Sequence, residues 1–184
     1  MYSNDFKLIN KFYIIKDPTV IIPKHIKKNN IALIINIKST KSTRVIKNII
    51  KKNLYNKFFV SNNPSLILNK KIIGLYISGY NNKIFLYNKN YSFNYSIIGA
   101  AHNISEIRKK FQLRCNIVFL SPVFKTTSHP YSKPIGLVRF LLISKLFQNK
   151  VYPLGGISEK KIGYFNKYKE FAGISHFQKK TRQV

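Results

Sequence analysis

The chain has 184 residues, 45% of them apolar, with 33 Lys and Arg against five Asp and Glu and a formal net charge of +28. That apolar content excludes a disordered chain, and the length suits one domain, residues 1–184, with a core of its own. The single cysteine, Cys115, excludes an internal disulfide framework and reads as a small buried hydrophobe.

The N-terminus lacks a basic region followed by a long apolar core and a small-residue cleavage site. The longest apolar stretch, Ile135 to Phe147, is interrupted by Arg139, Ser144 and Lys145 and is too short to cross a bilayer. The expectation is a soluble cytoplasmic protein. The charge admits a nucleic-acid binder that draws affinity from phosphates. It also admits compositional drift, because Lys, Asn, Ile, Tyr and Phe all have A/T-rich codons. The lysines stand singly and in pairs, with no block of five or six, and drift is the preferred reading. Either way the chain attracts small anions.

Eight short apolar runs follow one another: Phe12–Ile15, Ile31–Ile37, Phe58–Val60, Ile72–Ile77, Ser96–Ala100, Asn116–Leu120, Val151–Leu154 and Phe171–Ile174. Their length and their Ile, Val, Phe and Tyr content predict buried parallel strands. Between them lie helical signals. Ser42 to Leu54 sets Val45, Ile46, Ile49 and Ile50 on one face with lysines opposite. Asn103-Ile104-Ser105-Glu106 predicts a capping box that opens a helix through Phe111. Pro134 suits the first turn of an amphipathic helix over Ile135–Phe147, and Ser158 caps a further one through Tyr168. The stretch from Asn81 to Tyr95 shows no clear helix. Strand and helix alternate without a linker, so a single (β/α)8 barrel with short or missing helices is predicted.

Two strand ends carry chemistry. The run ending at Leu120 breaks into Ser121-Pro122-Val123-Phe124-Lys125-Thr126-Thr127-Ser128-His129-Pro130, a loop of hydroxyls and one imidazole. Parallel α/β folds present ligand sites at such C-terminal strand ends. Val151-Tyr152-Pro153-Leu154 then runs into Gly155-Gly156. Paired glycines let backbone N–H groups approach an anion, although an ordinary tight turn would use the same pair.

The ordered set Ile98-Gly99-Ala100-Ala101-His102-Asn103, Ser121-Pro122-Val123-Phe124 with Thr126, Ser128, His129 and Pro130, Ile135-Gly136, and Leu154-Gly155-Gly156-Ile157 resembles the thiamine phosphate synthase/TenI superfamily. The Ser-His-Pro loop is closer to its shorter TenI-like branch. The strong match runs from Ser96 to Ile157, with fainter echoes at Phe12–Ile15, Gly74–Ile77 and Ala172–Ser175. The resemblance implies a (β/α)8 barrel. Synthases of this superfamily join a pyrimidine pyrophosphate to a thiazole phosphate with magnesium. TenI-like members can instead isomerise the thiazole phosphate to its aromatic tautomer.

The resemblance also assigns residues. Gly155, Gly156, Gly173 and Ser175 would bind the thiazole phosphate, although His176 and Phe177 depart from the smaller residues expected next. Lys38, Asn62, Thr126, Ser128 and His129 would line the substrate site. His102 would be catalytic, since imidazole as a class takes and gives protons near neutral pH, but a structural histidine bonded to a neighbouring loop is the slightly preferred reading of the residue itself. The synthases' pyrophosphate side is depleted. Thr40 replaces a lysine, Ser61-Asn62 stands for Asn-Asp, Asn81 for an aspartate, and Ala100 for a serine. Magnesium wants carboxylate oxygens, so no metal site is assigned, and Mg2+ enters only if synthase activity survives.

Three functions follow. The first is a TenI-like thiazole tautomerase. The second is a diverged synthase. The third is a barrel without catalysis that binds a phosphorylated thiamine precursor or RNA. The RNA reading rests on Tyr87, Tyr91, Phe93 and Tyr95 set among Asn and Lys.

Overall fold

The computed structural model describes residues 9–17, 19, 22, 28, 30–37, 42–61, 69–81, 95–126, 130–158, 161, 163–165 and 171–173. Its elements are β1 (Lys11–Ile15), β2 (Ile31–Ile35), α1 (Ser42–Lys52), β3 (Lys57–Ser61), β4 (Ile72–Ile77), β5 (Ser96–Ala101), α2 (Ile104–Gln112), β6 (Ile117–Leu120), α3 (Leu137–Leu146), β7 (Val151–Pro153), a 3₁₀ turn (Gly163–Phe165) and β8 (Phe171–Gly173). Each predicted run contains a strand, so the periodicity located all eight.

All ladders are parallel, in the order β7-β6-β5-β4-β3-β2-β1-β8. Strands consecutive in the chain are neighbours in the sheet, as short crossover connections favour. The ring closes between β7 and β8 through one parallel bridge, Leu154 to Ala172. A nearly closed eight-stranded barrel results, as predicted.

Period-two alternation sorts the side chains. Phe12 and Ile14, Ala32 and Ile34, Phe59, Tyr76, Ile98 and Ala100, Ile117 and Phe119, Leu154 and Ala172 form one cluster, with Tyr152 against it. All eight strands thus feed a filled interior. The opposite residues pack outward. Leu33, Ile35, Phe58 and Val60 meet Ile46 and Ile50 of α1, while Ala101, Val118 and Leu120 meet Ile107 of α2 and Phe140 and Ile143 of α3. Burial on both faces is why the strands read as unbroken apolar runs.

At Gly74 a Cβ would lie 2.0 Å from Ser96 O and 2.4 Å from Phe59 Cε1. The bare backbone lets Phe59 enter the interior, where its ring lies 6.1 Å from that of Phe12.

Two local expectations need correction. Pro134 is not in the first turn of α3, because Ile135 N and Gly136 N donate to Pro122 O and Val123 O. Those bonds tie the segment to the end of β6, and the helix starts only at Leu137, after a Gly136 N-cap. Nor is α3 cleanly amphipathic, since Val138, Leu142 and Leu146 on its outer side are exposed. Of the helix expected from Ser158 through Tyr168, Lys161 is helical and Gly163–Phe165 form a 3₁₀ turn, while the remaining residues after Ser158 lie outside the described residues. Most of Asn81–Tyr95 lies outside the described residues, as do Tyr87, Tyr91 and Phe93 of the aromatic cluster. No helix among the described residues is long and apolar enough to cross a membrane.

Candidate active site

His102 follows the last residue of β5, at the C-terminal rim of the barrel. Its backbone is fixed by the start of α2. Asn103 is the N-cap and accepts from Glu106 N at 2.9 Å. In return Glu106 Oε2 accepts from His102 N at 2.9 Å, and Oε1 from Asn103 Nδ2 at 2.8 Å. The predicted capping box therefore exists, but its returning arm binds the residue before the cap.

The ring is fixed by a different neighbour. Nδ1 of His102 lies 2.9 Å from Ser121 O, just past the end of β6. A carbonyl oxygen only accepts, so Nδ1 carries the proton and Nε2 of the neutral ring keeps its lone pair. Ser121 Oγ, at 3.5 Å from the same nitrogen, is too distant to compete. On the other side the Tyr80 ring centroid lies 5.8 Å from that of the imidazole. A Cβ on Gly79 would stand 2.7 Å from Nε2. The missing side chain at 79 thus leaves open the nitrogen that can accept a proton. His102 itself is exposed. The bond of His102 to a neighbouring loop, expected of a structural histidine, also selects a tautomer.

A second corner of the rim lies after β7. Gly155 and Gly156 have φ of +91° and +67°, a region that side chains rarely adopt. A Cβ on Gly155 would lie 3.1 Å from Pro122 Cα. One on Gly156 would lie 2.5 Å from Lys125 O and 2.7 Å from Phe124 O. The pair therefore turns tightly against the loop after β6, and Val123 N and Phe124 N donate to Leu154 O and Gly155 O. Lys161 brings a positive charge here. Its Nζ lies 4.4 Å from the Phe124 ring centroid and donates to Gly156 O at 3.3 Å. Thr126 is half-buried in the same loop, and Gly173 ends β8, paired with Tyr13. Lys38, Asn62, Ser128, His129 and Ser175 lie outside the described residues.

The depleted side can be followed part of the way. Ser61 is buried, its Oγ donating to Ile35 O at 3.2 Å and bonded to Asn36 Oδ1 at 3.0 Å. Ala100 lies in the interior cluster. Asn81 O accepts from the ammonium of Lys110. Among the described residues no three His, Cys, Asp or Glu side chains gather where an ion could be held. The two described acids are committed elsewhere, Glu106 to the start of α2 and Asp17 to Thr19. These donors do not fit magnesium, a hard cation that wants carboxylates.

Sequence reasoning missed Gly79, Lys161 and Lys110. A glycine in a turn carries no local mark, and the two lysines are lost among 33 basic residues.

Eight parallel strands in sequential order with helices between them define the (β/α)8 class. Within that class, residues 36–169 match the family described as thiamine monophosphate synthase, and the chain belongs to this family of thiamine biosynthesis. It is 39% identical over 84 residues to a putative thiamine-phosphate synthase 2 of Aquifex aeolicus, covering 44% of this chain and 45% of that one. It is 29% identical over 135 residues to a thiamine-phosphate synthase of Prochlorococcus marinus, covering 71% of this chain and 37% of that one. The matched part is therefore less than half the length of either relative. Among solved structures, a thiamine phosphate pyrophosphorylase of Pyrococcus furiosus superposes with a TM-score of 0.63 at 16% identity, over 91% of this chain and 86% of that one. A native KDPGal structure superposes at 0.55 with 7% identity, over 95% and 86%. At those identities the superpositions establish the fold alone.

Proposed function

We propose that the chain binds a thiazole phosphate at the barrel rim and acts as a TenI-like tautomerase with His102 as its proton carrier. The hydrogen bond from His102 Nδ1 to Ser121 O carries this reading. It leaves Nε2 able to take a proton from the thiazole ring and return it at another ring position. No atom is gained or lost, and no metal is needed. In this reading Gly155, Gly156, Gly173 and Ser175 receive the phosphate, with Lys161 adding charge beside them. Lys38, Asn62, Thr126, Ser128 and His129 are the remaining substrate contacts. The test is to incubate the purified protein with the non-aromatic thiazole phosphate and follow formation of the aromatic tautomer. Conversion should fall about a hundredfold or more in His102→Ala, the usual size of a general acid–base contribution. Equal rates in the two proteins would remove the reading.

A second reading, a diverged synthase, is favoured by the names of both curated relatives. Magnesium-dependent release of pyrophosphate from pyrimidine pyrophosphate plus thiazole phosphate would establish it, and no release at saturation would dismiss it. The poor donor set for magnesium ranks it second.

A further inference from the structure

Lys110 is a buried cation that the proposed chemistry does not use. It lies on α2 with no solvent exposure. Its stem runs over Gly99 of β5, where a Cβ would lie 3.0 Å from Lys110 Cβ and Cγ. A side chain at 99 would crowd that channel. Nζ emerges past the end of β4, where it donates to Ser78 O at 2.8 Å and also to Asn81 O. Burial pushes the ammonium's pKa down, and the nearby Cys115 and Glu106 partly oppose that shift. Desolvating an ammonium is costly unless its partners are well placed.

The two carbonyls bracket Gly79 and Tyr80. Those are the residues set against Nε2 and the ring of His102. A single buried cation thus pins both ends of the segment that forms one wall of the histidine's surroundings. Charge-assisted bonds to carbonyls are stronger than neutral ones and hold a short turn closely.

We propose that Lys110 is a positioning residue: its ammonium clamps the turn 78–81 so that Gly79 and Tyr80 stay in place beside the open nitrogen of His102. The proposal rests on the reading of His102 as proton carrier. It adds a device, reaching from the outer layer of the barrel, that keeps the wall of that site fixed.

Lys110→Met retains the stem and removes the charge. In the full chain, amide exchange at Gly79, Tyr80 and Asn81 should speed up roughly tenfold or more relative to α2, as local opening grows easier. Turnover of the thiazole phosphate should drop about tenfold at unchanged KM, since small displacements around a reacting group cost rate rather than affinity. The ring nitrogen signals of His102 should move. A lysine that merely staples α2 to the barrel would leave those signals and the KM-to-kcat balance untouched. Wild-type exchange at 79–81, unmoved His102 signals and unchanged turnover in Lys110→Met would overturn the proposal. Should that variant not fold, the wild-type protein decides: through-bond couplings from Lys110 Nζ to the carbonyl carbons of Ser78 and Asn81 must be observed, and their absence refutes the clamp. A fully active His102→Ala would remove the proton-carrier reading instead. Loop exchange and His102 signals would then judge the clamp by themselves.

Discussion

The two corners of the rim are built from different materials. The corner after β5 is held by side chains: Glu106 on the His102 backbone, Tyr80 beside the ring, Lys110 on the adjoining turn. The corner after β7 is held by the lack of side chains, with the loop after β6 lying where the Cβ atoms of Gly155 and Gly156 would stand. The first arrangement orients a reactive group at little cost to the fold. The second joins strand ends through backbone contact, so shape and stability are coupled there. Substitutions should therefore injure stability at the glycine corner and chemistry at the histidine corner.

Gly156→Ala should have the largest effect on folding. Its new methyl would meet two carbonyl oxygens at 2.5 and 2.7 Å in a backbone conformation unsuited to alanine. A loss of roughly 3 kcal/mol is expected from overpacking and strain together, measured by denaturant midpoint. Gly155→Ala, with Pro122 Cα at 3.1 Å, should lose less, about 1–2 kcal/mol. His102→Ala should cost about 1 kcal/mol or less, the worth of one exposed hydrogen bond, while abolishing most turnover. The reverse pattern, an unstable His102→Ala and a stable Gly156→Ala, would break the contrast.

The smallest effect lies beneath the histidine corner. Cys115 packs against Gly99, and burial pushes its thiol from 9.0 up to about 12, with Lys110 partly opposing. Between those values the unfolded chain would lose a proton that the folded chain keeps. The contribution is fully present below pH 9 and fades as pH rises towards 12. Wild type should therefore lose stability relative to Cys115→Ala across that window. Its thiol should also resist labelling at pH 8 until the protein unfolds. Rapid labelling of the folded protein would contradict this packing.

The barrel was legible because its strands are buried on both faces and recur as apolar runs. Asn103 and Glu106 were legible because a capping box is local, contained within four consecutive residues. What escaped depends on distant partners. Pro134 was misplaced because Ile135 and Gly136 bond to Pro122 and Val123 of the preceding loop. The tautomer of His102 is set by a carbonyl 19 residues away. Lys110 is buried against Gly99 and bonded to Ser78 and Asn81, neighbours that the sequence gives no reason to set beside it. The 3₁₀ turn Gly163–Phe165 sets Phe165 against Phe124 and Phe140, contacts that join residues far apart in the chain.

The proposed proton transfer turns on which nitrogen of His102 carries the proton. Nitrogen-15 chemical shifts of that imidazole, recorded on the unliganded protein with the ring neutral, read this directly. A protonated Nδ1 and a bare Nε2 are expected. A ring protonated at Nε2 instead would leave the group facing Gly79 unable to accept a proton, and would contradict that transfer.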